Sequence, residues 1–210
     1  MLNNVLDSVH GVRASKQPRS LKRQRDLIEA GIRLLFNEDF EKLTISRIAA
    51  EAECSVGTFY SRFLDKEVYL VALQEYLYSQ QIEEANSYLA PHNWQDSPTE
   101  TVIESAIKFT VDTFRGKAEG VMRAALIQSA RKPELWGTTR RSGVALVDAV
   151  VNLIKPRLSR PEGEAEIRLV MQLVFGMLIN IILHDPGPWT LNDPNTADKL
   201  SEIAKKVLEV

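Results

Sequence analysis

The residues best placed to do chemistry cluster between Leu43 and Leu70, in the run LTISRIAAEAECSVGTFYSRFLDKEVYL. Hydroxyls stand at Thr44, Ser46, Ser55, Thr58 and Tyr60, cations at Arg47 and Lys66, and a glycine at Gly57. This set suits binding rather than bond-making. A Ser or Thr at a helix start leaves backbone N–H groups that fit a phosphate oxygen. Gly57 removes a side chain where a helix would come close to a ligand surface, and Tyr60 extends a hydroxyl. Elsewhere the chain has no Gly-x-Ser-x-Gly elbow, no phosphate-cradling glycine loop, no paired metal ligands and no Cys/His pair in recognisable context. His92 and His184 are isolated. No catalytic residue, metal or cofactor is therefore expected.

These residues need elements to hold them. Leu27, Ile28, Gly31, Ile32, Leu34 and Leu35 recur at helical spacing and predict a first helix from about Ser20 to Phe36. Ile45, Ile48, Ala49 and Ala52 mark a short second helix with Thr44 as its N-cap. After a tight turn at Glu53-Cys54-Ser55, Ser55 caps a third helix over Val56 to Phe63, with Phe59 and Phe63 directed into a core. Asp65 caps a long fourth helix reaching about Leu89. Two short amphipathic helices joined by a tight turn form a helix-turn-helix, whose second helix presents its N-terminal residues to a major groove.

The same segment resembles the DNA-binding domain of the TetR family of regulators. The likeness rests on Phe40, Thr44, Ile48-Ala49, Ser55, Gly57-Thr58-Phe59-Tyr60, Phe63 and Lys66-Glu67, and covers about Leu27 to Leu70. The resemblance implies that Thr44, Thr58, Tyr60 and Lys66 hold phosphates. It implies that Ser55, Val56 and Gly57 sit at the groove, with Ser46 and Arg47 nearby. Phosphate contacts position such a protein, whereas base contacts select the sequence; Val56, being apolar, suits a thymine methyl. Two residues depart from the pattern. Glu53 stands where the family usually has Gly, which strains the turn and sets a negative charge near DNA. Cys54 replaces a branched apolar residue, and is read as a small buried hydrophobe rather than a redox centre.

From Met1 to Arg25 the only acid is Asp7, against Arg13, Lys16, Arg19, Lys22, Arg23 and Arg25. Residues 1–19 are expected as a basic flexible tail, either simply solvated or reaching a DNA backbone or minor groove. Residues 20–66 are expected as the helix-turn-helix domain, and 67–210 as a helical effector-binding and dimerisation domain.

In that larger part, Pro91 to Pro98 reads as a loop. A fifth helix follows from about Pro98 to Phe114, a sixth from Ala118 to Ala130, and a seventh from Pro133 to about Ile154. An eighth spans Glu164 to His184, stopped by Asp185-Pro186-Gly187-Pro188, and a ninth runs from about Asn195 to Leu208. The fold class is thus all-α, a three-helix DNA-binding domain followed by a larger helical domain, about nine helices in all. The eighth helix is apolar on more than one face, so it is buried all round, either as a core helix of a monomer or against a second copy. The resemblance implies a dimer through the eighth and ninth helices, with Val174, Leu178, Ile182, Leu200, Ile203 and Val207 at the interface. Two copies would then span half-sites of a palindromic operator roughly 34–36 Å apart. It also implies an effector pocket framed by helices five to seven. Phe109, Phe114, Met122, Leu126, Trp136 and Phe175 are either its lining or plain core.

Composition agrees with a cytoplasmic protein that does not enter a membrane. Net charge is −2, hydrophobic residues make up 44% and the one cysteine allows no internal disulfide. The greasy stretch from Leu169 to Leu183 is interrupted by Gln172 and Asn180 and falls short of the ~20 residues of a membrane span. The leading expectation is a DNA-binding transcriptional regulator, a repressor released from its operator by a small molecule, with the fourth helix transmitting the change. The alternative is an all-helical interaction module or enzyme with a structural helix-turn-helix. Such an enzyme would leave Gly57 to Tyr60 unexplained.

Overall fold

The structure, a computed structural model, describes residues 5, 6, 8–13, 17–185 and 187–210. Asp7 and Lys16 of the N-terminal run, and Pro186 of the loop after the eighth helix, lie outside them. Among the described residues nine α-helices build the fold and no sheet is present. They are α1 (Pro18–Asn37), α2 (Ile45–Glu51), α3 (Val56–Tyr60), α4 (Lys66–Tyr88), α5 (Thr99–Phe114), α6 (Lys117–Ser129), α7 (Gly137–Ile154), α8 (Gly163–His184) and α9 (Asn195–Val207). The all-helical expectation holds, and most bounds fall within two residues of it. Two differ for local reasons. The third helix stops at Tyr60 rather than Phe63, where the Ser61 hydroxyl donates to the Thr58 carbonyl at 2.7 Å and draws it out of the ladder. Pro133–Trp136 is a separate 3-10 turn, closed by the Gly137 N–H on the Glu134 carbonyl, and α7 begins only at Gly137.

The chain divides into two compact units. The first holds residues 1–80 and 116–141, hence α1 to α3, most of α4, α6 and the start of α7. Leu27, Ile28, Leu35, Phe40, Leu43, Ile48, Phe59, Phe63, Tyr69, Leu73, Val121 and Ala124 form one buried cluster in it. Two glycines set how closely its helices approach. A Cβ on Gly31 would lie 2.1 Å from the Tyr69 hydroxyl oxygen, and one on Gly120 would lie 2.1 Å from the Leu35 carbonyl oxygen. So Tyr69 seats against α1, donating to the Leu27 carbonyl, while α6 crosses the end of α1 backbone to backbone. Arg123 of α6 then donates to the Phe36 carbonyl at 3.3 Å, covering an end of α1 that has no basic residue in its own last turn.

The second unit holds residues 81–115 and 142–210. Here α5 and α9 pack along each other, with Val102, Ile103, Ala106 and Val111 buried on α5 and Leu200 and Ala204 buried on α9. The α8 helix buries Ile167, Val170, Met171, Val174, Leu178, Ile181 and Ile182. Four of the six residues expected at a dimer surface (Val174, Leu178, Ile182 and Leu200) are therefore buried in the chain's own core. Ile203 is exposed and Val207 half-buried. The reason is physical: a helix apolar all round carries no polar stripe to mark which side faces inward. The solvent side of α8 presents Leu169, Leu173, Gly176, Asn180 and Leu183 instead. With 22 residues and a mean hydropathy of 1.8 over its most apolar stretch, α8 is by length and composition alone able to cross a membrane, although the Leu169–Leu183 stretch reads as too short.

Candidate nucleic-acid interface

Two capped short helices carry the site. The Thr44 Oγ1 accepts the Arg47 N–H at 3.1 Å and starts α2. The Ser55 Oγ accepts the Thr58 N–H at 3.1 Å, lies 3.0 Å from the Thr58 hydroxyl, and starts α3. Both expected caps are present. The turn between them is a Schellman closure, in which the Cys54 N–H reaches the Ala49 carbonyl at 2.9 Å and the Glu53 N–H reaches the Ala50 carbonyl at 3.1 Å. That closure requires a left-handed residue, and Glu53 supplies it at φ +50°. The strain expected from a non-glycine there is real. An Arg23 guanidinium near the Glu53 carbonyl ties the turn to α1.

Behind α3, Phe59 and Phe63 are fully buried, ring centroids 5.4 Å apart, each within 5.1 Å of Tyr69. This aromatic block fixes the roll of the short helix, so its other face points outward. Ser55, Val56, Gly57 and Tyr60 are all exposed, Val56 by 39% and Tyr60 by 47%. Around Gly57 only the Ser55 Oγ, at 3.6 Å, would meet a Cβ, so nothing in the protein itself demands glycine there. Ser46 is exposed on α2, and Arg47 beside it contacts Glu38 at 3.4 Å and Glu51 at 3.5 Å. Thr44, Ser46, Arg47, Ser55, Val56, Gly57 and Tyr60 are thus exposed on or beside the two short helices, and Thr58 is half-buried.

Lys66 is different. Its ammonium donates to the carbonyls of Phe40 at 2.8 Å, Leu43 at 3.0 Å and Glu41 at 3.3 Å, and lies 4.6 Å from the centre of the Phe40 ring. Burial pushes its pKa down. The cation is spent on holding the α1–α2 loop to the start of α4, where Asp65 caps the helix through the Glu67 and Val68 N–H groups.

The N-terminal segment is partly docked on this site. Leu6 and Val9 are buried, and Val12 pairs with Phe63 as an isolated antiparallel bridge. The Arg13 N–H meets the Arg62 carbonyl at 2.8 Å, and the Leu64 N–H meets the Gly11 carbonyl at 3.1 Å. Sequence reasoning missed this strap, whose apolar residues are too few to show a period. It also missed Arg123 and Gly120, although a glycine inside a helical run signals close backbone approach. Cys54 is half-buried, and burial pushes its thiol up, away from reactivity.

The six residues offered for an effector pocket are divided between the units. Met122 is buried in the first, with Leu126 and Trp136 half-buried. In the second, Phe114 and Phe175 have ring centroids 5.7 Å apart, and Phe109 stacks on Tyr88 at 5.2 Å. None of the six lines either of two clefts described on the first unit, of about 230 Å³ beside Arg123 and Ile127 and about 470 Å³ beside Lys66 and Arg131. Among the described residues no cluster of His, Cys, Asp or Glu is arranged to hold a metal ion.

The two capped short helices and the tight turn between them form a helix-turn-helix, followed here by further helices. Residues 27–73 match the family model described as bacterial regulatory proteins, tetR family. The fold of the whole chain is that of TetR-family regulators. A protein from Mesorhizobium loti described as a TetR-family transcriptional regulator is 15% identical, with a TM-score of 0.72 over 91% of this chain and 98% of that one. The multidrug binding protein EbrR, complexed with imidazole, is 18% identical, with a TM-score of 0.62 over 94% and 97%. The transcriptional regulator FadR from Bacillus subtilis, in complex with stearoyl-CoA, is 21% identical, with a TM-score of 0.57 over 89% and 96%. No curated protein matches the chain.

Proposed function

We propose that the protein is a cytoplasmic, dimeric, sequence-specific repressor that a small molecule releases from a palindromic operator, and that it is not an enzyme. The carrying observation is the exposed end of α3, where Ser55, Val56, Gly57 and Tyr60 stand clear of a fully buried aromatic block. In this reading Thr44, Thr58 and Tyr60 hold phosphates, while Val56 contacts a base. Arg47 exchanges Glu38 and Glu51 for phosphate on binding. Lys66 acts indirectly, by fixing the loop that precedes Thr44. The docked strap, through Arg13, brings the basic N-terminal run towards the backbone of the same duplex.

The dimer proposed here uses a revised surface. Leu169, Leu173, Gly176, Asn180 and Leu183 are spaced by alternating steps of four and three along α8. That is the seam of a helix pair, with a glycine for close approach and one asparagine to set register. Beyond its own helical turn, no atom of the described residues would lie within 4 Å of a Cβ on Gly176. From α9 Ile203 and Val207, and beyond its end Val210, add an apolar edge. A second copy also supplies the second recognition helix that a palindrome requires. A small-molecule ligand is supported by proteins of the same fold seen in complex with imidazole and with stearoyl-CoA. Release from DNA requires a ligand that prefers the state unable to fit both half-sites.

Selection of the protein on random duplex DNA tests this reading. The expected result is an enriched palindrome with half-sites about one helical turn apart. Equal retention of every duplex at moderate salt would overturn it.

A further inference from the structure

Four charged side chains of the first unit form a chain of ion pairs. Arg33 of α1 meets the Glu51 carboxylate at 3.1 Å, Glu51 meets Arg47 at 3.5 Å, and Arg47 meets Glu38 at 3.4 Å. Two of the four have the wrong sign for the helix end they occupy. Glu38 is the C-cap of α1, where the helix dipole disfavours an acid. Arg47 lies in the first turn of α2, where the dipole disfavours a cation and where a Glu or Gln would close a capping box with Thr44. Neither charge serves its own helix, and an exposed ion pair stabilises a fold too little to account for both. Their placement calls for a reason outside stability.

The two acids around Arg47 are not equivalent. Glu51 has a second partner in Arg33 and keeps it when Arg47 leaves. Among the described residues Glu38 pairs with no cation but Arg47. The cations nearest in sequence or on the same cleft are engaged elsewhere, Lys42 with Asp39 at 2.8 Å and Arg131 with Glu41 at 2.7 Å. Departure of Arg47 therefore leaves Glu38 as a bare carboxylate. Arg47 is exposed on α2 beside Ser46, within the face proposed to meet the duplex. Moving its guanidinium from Glu38 to a phosphate replaces one anion by another. The counterion released from the DNA is offset by one drawn to Glu38. Such an exchange gains little alone, and proceeds only where other contacts already hold the two helices close to the backbone.

We propose that Glu38 sets the selectivity of DNA binding by competing with backbone phosphates for Arg47, while Glu51 and Arg33 hold the guanidinium within reach of both. On a duplex that fits loosely, Arg47 stays with Glu38 and makes no contact. On the operator, where Ser55 and Val56 reach the groove, Arg47 crosses to the phosphate. Glu38 is thus a positioning residue that withholds a contact from the wrong DNA. This rests on the regulator reading above and adds to it a residue that need not touch DNA.

The test titrates the full chain with mixed-sequence duplex DNA over a series of salt concentrations, and with the operator recovered by selection. Glu38→Gln keeps the shape of the side chain and should leave the urea midpoint close to that of the native chain. On mixed-sequence DNA it is expected to tighten binding about two- to fivefold and to steepen the salt slope by roughly 0.9, the size of one added phosphate contact. On the operator the gain should be smaller, so that the ratio of operator to mixed-sequence affinity narrows. In an Arg47→Met background Glu38→Gln should leave the slope unchanged, since the contact it releases is gone. Glu51→Gln should also leave the slope unchanged, because Glu38 still holds Arg47. An unchanged slope for Glu38→Gln overturns the proposal. So does a change of slope that persists without Arg47, or an operator that gains as much as mixed-sequence DNA. An enriched palindrome alongside any of these failures leaves the regulator reading standing and removes only the role of Glu38. A native chain that binds no duplex, or binds all alike, removes the regulator reading and this proposal with it.

Discussion

The exposed face of α3 and the exposed face of α8 are opposites built from similar parts. Each belongs to a helix whose other side is fully buried. On α3 the burial is aromatic and the free face is polar and small, with Ser55, Gly57 and Tyr60 around a single apolar Val56. On α8 both sides are apolar, and Leu169 and Leu173 stay about half exposed while their neighbours Val170 and Val174 are buried. A polar free face is at home in water until a phosphate comes. An apolar one costs solvation continuously, which is an argument for permanent cover.

The sharpest way to break that contrast is to charge adjacent positions of α8. Val174→Asp places a carboxylate in the core and should cost at least ~4 kcal/mol, unfolding much of the protein. Leu173→Asp places it at the seam. It should leave the urea midpoint of the isolated chain nearly unchanged, yield a monomer by sedimentation, and weaken operator binding. A folded dimer of Leu173→Asp would show that the seam is solvent.

The glycines extend the comparison. Gly120→Ala drives a methyl into the Leu35 carbonyl, backbone against backbone, and should cost about 3 kcal/mol, the upper end of ordinary overpacking. Gly176→Ala meets nothing among the described residues beyond its own helical turn and should stabilise the monomer by roughly 0.5–1 kcal/mol through helix propensity. If α8 crosses a second copy at Gly176, the same change weakens the dimer. A monomer stabilised with no loss of dimer affinity would move the crossing elsewhere.

Lys66 separates a contact that binds DNA from one that holds the DNA-binding domain. Lys66→Met leaves three loop carbonyls without their donor and should cost about 1–3 kcal/mol in chemical denaturation. Affinity for operator should fall with the disturbance of Thr44, while the salt slope stays as it was. A slope reduced by about one would return Lys66 to the phosphates.

What could be read beforehand follows the range of the interactions. Thr44, Ser55 and Asp65 cap helices through bonds spanning two or three residues, and each is legible from residue type and position. The strain at Glu53 is legible for the same reason, being a backbone demand set by five neighbours. Lys66 reaches carbonyls more than twenty residues away, and Arg123 reaches one 87 residues away. No local pattern announces such partners. The inward side of α8 lies beyond local reading altogether, since hydrophobic periodicity identifies a face only when another face is polar.

Glu53 gives the finest test of the polar face. Two costs meet there, a left-handed backbone on a residue with a Cβ and a negative charge beside the recognition helix. Glu53→Gly removes both, and Glu53→Gln removes only the charge. Relief of the backbone should stabilise the fold by roughly 0.5–1 kcal/mol after allowing for the greater freedom of glycine in the unfolded chain. Glu53→Gln should leave stability as it is. If the carboxylate faces phosphate, both variants should bind every duplex about two- to fivefold more tightly, the size of an exposed charge contact, with the gain shrinking at high salt. A gain in stability for Glu53→Gly with no gain in affinity for either variant would turn the carboxylate away from DNA. The turn would then be strained for no electrostatic end, and the polar face of α3 would begin at Ser55.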